Sequence, residues 1–576
     1  MRRFASFLIL VAVSLALTWA GDPVAAANAS DSKISPELRN LNPGATVDVI
    51  VQFKSQPSET QFAKVRNKGG LEKARLPLVK GGLYSLPASA VAALAADPDI
   101  AYISPDRQVR ATLDSAAAAV NASIAWQQGW DGSGVGIAVI DSGIATQADF
   151  QDTFSRGSGI VYSQSFVAGG TTDSFGHGTH VAGILAGNGM MSNGLFRGVA
   201  QKARLISLRV LGDNGTGTDS AVIAALHRAI ELKSAYNIRV VNLSLGRPVY
   251  ESYTLDPLCQ AVETAWKAGL VVVVAAGNNG RDNSLGREGY GTITSPGNDP
   301  YVITVGAMKT MGTLSRGDDQ IASYSSKGPT ALDHVVKPDL VAPGNRIISL
   351  MCARGLLDTS YPGNEVLMSS YKAALNQGVG SAYYRLSGTS MATPMVSGAA
   401  ALLLQKEPGL TPDQVKARLM KTATKSFPSV SLATDPVTGA IYRSQYDIFT
   451  VGAGYLDVAA ALANSDVFPG IALSPTAVYD SVTGQVFVVS GGSAVWGTSA
   501  VWGTSAVWGT SAVWGTMVFL NGTSAVWGTS AVWGTGTLQG FSAVWGTSAV
   551  WGTSAVWGTT TTTGTTAMLV AIYGEK

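Results

Sequence analysis

Three short segments of this chain carry a carboxylate, an imidazole and a hydroxyl in settings that could do chemistry together. Ala138-Val-Ile-Asp-Ser-Gly143 ends an apolar run on Asp141. Gly176-His-Gly-Thr-His-Val-Ala-Gly183 opens a helical pattern with His177. Ser387-Gly-Thr-Ser-Met-Ala-Thr-Pro394 sets Ser390 just ahead of the apolar run Met391–Leu404. A serine hydroxyl is a poor nucleophile at neutral pH. It needs a base within hydrogen-bond reach, and the base needs a group that fixes its orientation. Imidazole titrates near neutral pH and suits the base. A carboxylate on the other ring nitrogen fixes the tautomer and stabilises the imidazolium. Acid, base and nucleophile in the chain order Asp, His, Ser are the parts of an acyl-transfer triad.

The chain has only four histidines: His177, His180, His227 and His334. His180 lies one helical turn after His177 and reads as structural. Asp141 could be a simple turn residue and Ser390 a simple N-cap. Those readings require all three motifs to coincide by chance.

The intervening sequence alternates strand and helix. Apolar strands are expected at 135–140, 205–210, 240–245, 270–275 and 302–305. Between them a helix is expected over 220–236, with Val222, Ile223, Leu226 and Ile230 on one face and Asp219 as its N-cap. Continuous apolar strands separated by helices predict a mostly parallel sheet with helices on both faces. In such α/β sheets, residues at the carboxyl ends of strands point into the crevice that binds ligands, which is where Asp141 falls.

The flanking residues of all three motifs resemble those of the subtilisin-like serine proteases, over roughly residues 45–465. The resemblance implies a serine endopeptidase that hydrolyses peptide bonds through an acyl-enzyme and needs no cofactor for the chemistry. It implies Asp141, His177 and Ser390 as the triad. Asn278, at the end of Val273-Val-Ala-Ala-Gly-Asn278, matches the position whose side-chain amide donates to the oxyanion, with the Ser390 N–H as second donor. Substrates of the family dock as added β-strands. The matching edges are Gly215-Thr216-Gly217 and Ser244-Leu245-Gly246. The second edge, with Ala275, Ala276 and Gly277, would wall the pocket for the residue before the scissile bond. No acidic residue is assignable to that pocket, so broad or apolar preference is expected. Structural calcium is common in the family. Asp149 matches one ligand position, although the companion loop at 188–197 departs from the usual Asn-rich pattern.

Residues 1–29 read as a secretory signal: Arg2 and Arg3, an apolar stretch from Phe7 to Ala20, then small residues up to Ala29. The expected location is secreted or at the cell surface. Residues 30–110 are expected to form a small α+β module. Val47-Asp-Val-Ile-Val-Gln-Phe53 reads as a strand, 88–96 as a helix and 101–107 as a closing strand. This module resembles the family's inhibitory propeptide, which would make it a partner of the enzyme, with self-cleavage expected between Arg107 and Ser115. Residues 111–465 are then the catalytic domain. The stretch 346–385 reads as a surface insertion bordering the cleft.

From 466 to 576 the character changes. Nine copies of Ser-Ala-Val-Trp-Gly-Thr occur between Ser493 and Thr559, and no charged residue lies between Ser481 and Gly574. A period of six puts Ala, Trp and Thr on one side of a strand and Ser, Val and Gly on the other. A repetitive β-rich region is expected, separable from catalysis and suited to self-association or surface attachment. Two alternatives stay open. The tail could be a low-complexity segment without fixed structure. The protein could instead be a surface adhesive or structural protein, with the Trp repeats as its functional part and the protease domain serving maturation.

The 576 residues are too many for one core. A net charge of +2 without a long basic run argues against nucleic acid as a partner. Cys259 and Cys352 could pair in an exported protein or remain two buried thiols.

Overall fold

A computed structural model describes residues 33–35, 38, 41–76, 80–105, 115–151, 157–283, 286–313, 315–371, 381–435, 438–480, 485–489, 555–556, 572 and 574–575. The signal segment, the expected self-cleavage stretch before Ser115 and all of the repeats except Ala555 and Val556 lie outside the described residues. The chain divides into two compact units, residues 1–110 and 111–576.

The first unit contains β1 (Thr46–Phe53), α1 (Glu59–Asn67), β2 (Leu71–Leu76), β3 (Gly81–Pro87), α2 (Ala88–Ala95) and β4 (Ile100–Pro105). Its four-stranded antiparallel sheet has the order β2-β3-β1-β4. Alternation along β1 sends Val49, Val51 and Phe53 into a core with Phe62, Val65 and Leu94. Phe53 and Phe62 meet edge to face at 5.9 Å. Gln61 accepts a hydrogen bond from the Ser58 backbone N–H at 3.0 Å, which closes the start of α1. The alternation in Val47–Phe53 announced β1. Nothing comparable announced the β2–β3 hairpin, because β2 (Leu-Glu-Lys-Ala-Arg-Leu) is mostly solvent-facing.

The second unit runs through α3 (Ser115–Ala119), α4 (Ala122–Gln127), β5 (Gly136–Asp141), β6 (Ile160–Ser165), α5 (His177–Ala186), β7 (Arg204–Arg209), β8 (Thr216–Gly217), α6 (Asp219–Tyr236), β9 (Ile238–Leu243), α7 (Pro257–Lys267) and β10 (Val271–Ala275). It continues through β11 (Ile303–Lys309), β12 (Gln320–Ile321), β13 (Leu340–Pro343), β14 (Ile347–Leu350), α8 (Leu356–Ser360), β15 (Tyr383–Leu386), α9 (Thr389–Lys406) and α10 (Pro412–Thr422). Eight strands form one sheet of order β12-β11-β10-β9-β5-β7-β6, with β13 also paired to β11. All its ladders are parallel except β11–β12. The central strands are buried on both sides, as their unbroken apolar runs predict. Helices α5 and α9 pack together against the sheet, while α6 and α7 pack together against β5, β9 and β10.

Three details differ from the sequence reading. Helix α6 is capped by Thr218, whose hydroxyl accepts from Ala221 N–H at 3.3 Å, while Asp219 is the first helical residue. The stretch 346–385 is built into the fold at both ends. Its β14 and β15 pair antiparallel, and Ile347, Leu350, Tyr383 and Leu386 are buried. Packing also continues past residue 465. Val336 N–H donates to Pro475 O at 2.8 Å, Ala477 N–H donates to His334 O at 2.8 Å, and Ser474 Oγ donates to Asp339 at 2.5 Å. These bonds fasten residues 472–480 to the catalytic unit. Among the described residues no helix is long and apolar enough to cross a membrane.

Candidate active site

Asp141 is the last residue of β5, at the carboxyl end of a strand flanked by β7 and β9. His177 is the first residue of α5. Both side chains are completely buried, and His177 Nδ1 lies 2.7 Å from Asp141 Oδ1. The same oxygen accepts from Ser142 N–H at 2.7 Å. The helix reaches the strand because residue 178 is glycine. A Cβ there would sit 2.2 Å from Gly143 O.

Asp173, which the sequence reading did not single out, holds the start of α5. Its Oδ1 accepts from Ser142 Oγ, Phe175 N–H and Gly176 N–H, and its Oδ2 from Thr179 N–H and Oγ1, at 2.7–3.0 Å. Burial pushes its carboxyl up despite these bonds. The only sequence signal was an Asp four residues ahead of the helix. His180 Nε2–H lies between the Ile347 and Tyr384 carbonyls, at 3.2 and 3.1 Å. Burial, followed by the proximity of His177, lowers its pKa to about 3, so it stays a neutral tie to β14 and β15.

Ser390 lies in the first turn of α9 and is 3% exposed. Its Oγ donates to Ser244 O at 3.0 Å, while Ser244 Oγ donates to Ser390 O at 2.8 Å. Asn242 and Ser397 extend this network: Asn242 Nδ2 donates to Ser244 Oγ and Ser397 Oγ to Asn242 Oδ1. Helix α9 is thereby locked to the end of β9 through a buried network of hydrogen bonds.

Asn278 follows β10 across Gly277, whose φ is +105°. Its Oδ1 accepts from Thr389 N–H at 2.9 Å and Thr389 Oγ1 at 3.1 Å. This fixes the amide so that the Nδ2 group faces the Gly388 loop, 3.2 Å from where a Cβ on Gly388 would be. Gly277, Ala276 and Ser244-Leu245-Gly246 lie together. Thr294 packs between them: its N–H and Oγ1 donate to Ala276 O, and a Cβ on Gly246 would meet its Oγ1 at 2.6 Å. No sequence motif announced Thr294.

On the other side, Gly215 (φ +75°) lies over Phe175, and a Cβ there would be 2.5 Å from the ring. Thr216 and Gly217 form β8, which pairs antiparallel with Val556 and Ala555 of the ninth repeat copy. This edge therefore accepts an added antiparallel strand.

The subtilase family model (peptidase family S8) matches residues 132–439. The chain belongs to the subtilase family. The serine protease AprX of Bacillus subtilis is 37% identical over 398 residues, which is 66% of this chain and 83% of AprX. Subtilisin E of the same species is 33% identical over 386 residues, 65% of this chain and 84% of the relative. The alkaline protease of Shouchella clausii is 35% identical over 340 residues, covering 58% and 71% respectively. This subtilase is a serine-type endopeptidase, and its substrates are peptides.

Asp149 does not fit a calcium ligand. It is 1% exposed, and it accepts from Met191 N–H and from the Tyr383 hydroxyl, both at 2.6 Å. Proton donors stand where further oxygen ligands would have to gather. Among the described residues no group of His, Cys, Asp and Glu side chains could hold a metal ion. Cys259 and Cys352 are two separate buried thiols. Cys259 Sγ donates to Asn298 Oδ1 at 3.3 Å and Cys352 Sγ to Asp173 O at 3.1 Å.

Proposed function

We propose that Ser390 is the nucleophile of an exported endopeptidase, His177 its general base and acid, Asp141 the orienting carboxylate and Asn278 an oxyanion donor. The observation that carries this reading is the buried 2.7 Å contact of His177 Nδ1 with Asp141. A carboxylate there makes Nδ1 the protonated nitrogen and leaves Nε2 as the base. Ser390 Oγ attacks the scissile carbonyl carbon as its proton passes to His177 Nε2. The oxyanion takes hydrogen bonds from Asn278 Nδ2 and Ser390 N–H, at the positive end of α9. His177 then protonates the leaving amine. Water repeats the sequence on the acyl-enzyme.

Peptides dock along 215–217 and 244–246 as added strands. The antiparallel pairing of Ala555 and Val556 with β8 supports this use of the edge. In the resting state the Ser390 hydroxyl donates to Ser244 O. A substrate N–H that takes over that carbonyl releases the hydroxyl towards His177. Residues 30–110, with their own sheet and core, act as an inhibitory propeptide removed by self-cleavage before Ser115. The N-terminal segment directs export. The charge-free repeats form an accessory layer for association.

Replacing Ser390 by Ala tests the reading. Peptide hydrolysis should fall to the residual level of an enzyme lacking a triad member, about 10³–10⁴ over water. Turnover near that of the wild type would overturn the assignment.

A further inference from the structure

Glu575 lies outside every family motif, yet its side chain is 4% exposed inside the catalytic unit. Its carboxylate accepts from Arg281 Nη2 at 2.8 Å and from Ser323 N–H at 3.0 Å, and also from Ser323 Oγ. Lys309 Nζ lies 3.1 Å away. Burial alone would push this carboxyl up. Lys309, Ser323 and Arg281 outweigh it and hold the group below the ordinary glutamate range. The backbone is held as tightly. Glu575 N–H donates to Asn345 Oδ1 at 2.8 Å, and Asn345 Nδ2 donates back to Glu575 O at 2.9 Å. Gly574 has φ +66°, and a Cβ there would meet Arg346 Cγ and Ser387 Oγ at 2.5 Å. Asn364 Nδ2 donates to Ile572 O, and Ile572 is 1% exposed. This is a built socket for a carboxylate-bearing strand with glycine before the acid.

The socket joins the two loops that carry the reacting groups. Arg281 stands in the loop of Asn278. It is fixed there by Ser323 Oγ at 2.7 Å and Asp435 at 2.8 Å, besides Glu575. Asn345 adjoins Gly344, whose carbonyl accepts from Gly388 N–H at 2.8 Å, two residues before Ser390. Arg346 N–H donates to Ser387 Oγ at 2.8 Å.

We propose that Glu575 is a positioning residue of the active site: seated between Arg281 and Asn345, it sets the oxyanion-donor loop against the nucleophile loop. The inference rests on the roles given above to Asn278 and Ser390. A displacement of about 1 Å between such groups can cost on the order of 10²-fold in rate.

The test is Glu575→Gln in the full chain, with turnover expressed per active site titrated by a serine-directed phosphonate. Well below the melting temperature, kcat per titrated site should fall about tenfold or more, with KM within about twofold. Glu575→Asp should recover part of the loss. Because Glu575→Gln leaves Lys309 without its counter-ion, the paired change K309M/E575Q is measured alongside, and its kcat per site should also fall. A lowered melting temperature with unchanged kcat per site in either variant would make Glu575 structural only and overturn the proposal. If Ser390→Ala keeps full turnover, the triad reading fails instead, and that outcome is distinct.

Discussion

The side-chain oxygen of Asn278 accepts two hydrogen bonds from Thr389, the residue before Ser390. An amide whose oxygen is committed in this way presents its two hydrogens in a fixed direction. The proposed oxyanion donor is thus oriented by the segment that carries the proposed nucleophile. Replacing Asn278 by Asp keeps the acceptor and removes the donor. Turnover should drop by about 10²–10³ with little change in KM, read from steady-state kinetics on a short chromogenic peptide. A matching rise in KM would mean that Asn278 binds substrate rather than the transition state.

Gly178 sets how closely α5 approaches β5. Gly178→Ala would put a methyl 2.2 Å from Gly143 O, against backbone that has no room to yield. The helix must shift and take His177 away from Asp141. The expected result is a strong loss of phosphonate-reactive enzyme and a destabilisation of about 1–3 kcal/mol, of the size found for overpacking a core. A variant as active and as stable as the parent would contradict this geometry.

The pH response of stability should carry a signature of His180. Its folded pKa is lowered to about 3, against an ordinary value of 6.5. Below pH 6.5 the unfolded chain binds a proton that the folded chain refuses. Stability is therefore fully present above pH 6.5 and is lost as the pH falls towards 3, by an amount on the order of a few kcal/mol. Denaturant titrations at pH 7 and pH 4 should differ less in His180→Gln than in the parent. Equal pH slopes would remove His180 from the account.

The settings of Asp141, His177, Asn278 and Ser390 are legible in the sequence because each depends on a short local pattern. A buried apolar strand stops on Asp141, and glycines flank His177. The parallel sheet was readable for the same reason, since strands such as Val271–Ala275 are apolar throughout. The edge strand β6 lacks that pattern, and β13 is apolar but only four residues long. Thr294 and Glu575 were not readable, because their partners lie far along the chain, and Asp173 was not, because an Asp bonded to residues two to six positions on resembles an ordinary turn. The packing beyond residue 465 is hidden for a similar reason. Ser474 looks like a loop residue, yet its hydroxyl serves the buried group of Asp339 and Lys416.

That group gives a prediction for truncation. Lys337, Lys416 and Asp339 are all fully buried, with Lys337 Nζ 2.7 Å from Asp339. A chain ending at 465 strips Ser474 and the strand Thr476–Asp480 from them. Leaving a buried polar group without its hydrogen-bond partner costs about 1–3 kcal/mol, and more for a charged group. The truncated chain should be inactive and aggregate on expression. A deletion of 493–559 that keeps residues 466–489 and 572–576 should retain turnover within a few-fold of the full chain. Activity of the form ending at 465 would show that residues 466–576 are dispensable.

The most direct test of the central claim is to locate the adduct of a serine-directed phosphonate by mass spectrometry. One modified site is expected, on the peptide containing Ser387-Gly-Thr-Ser390, with labelling lost in His177→Ala. Labelling that is retained in His177→Ala, or that maps to another serine, would contradict it.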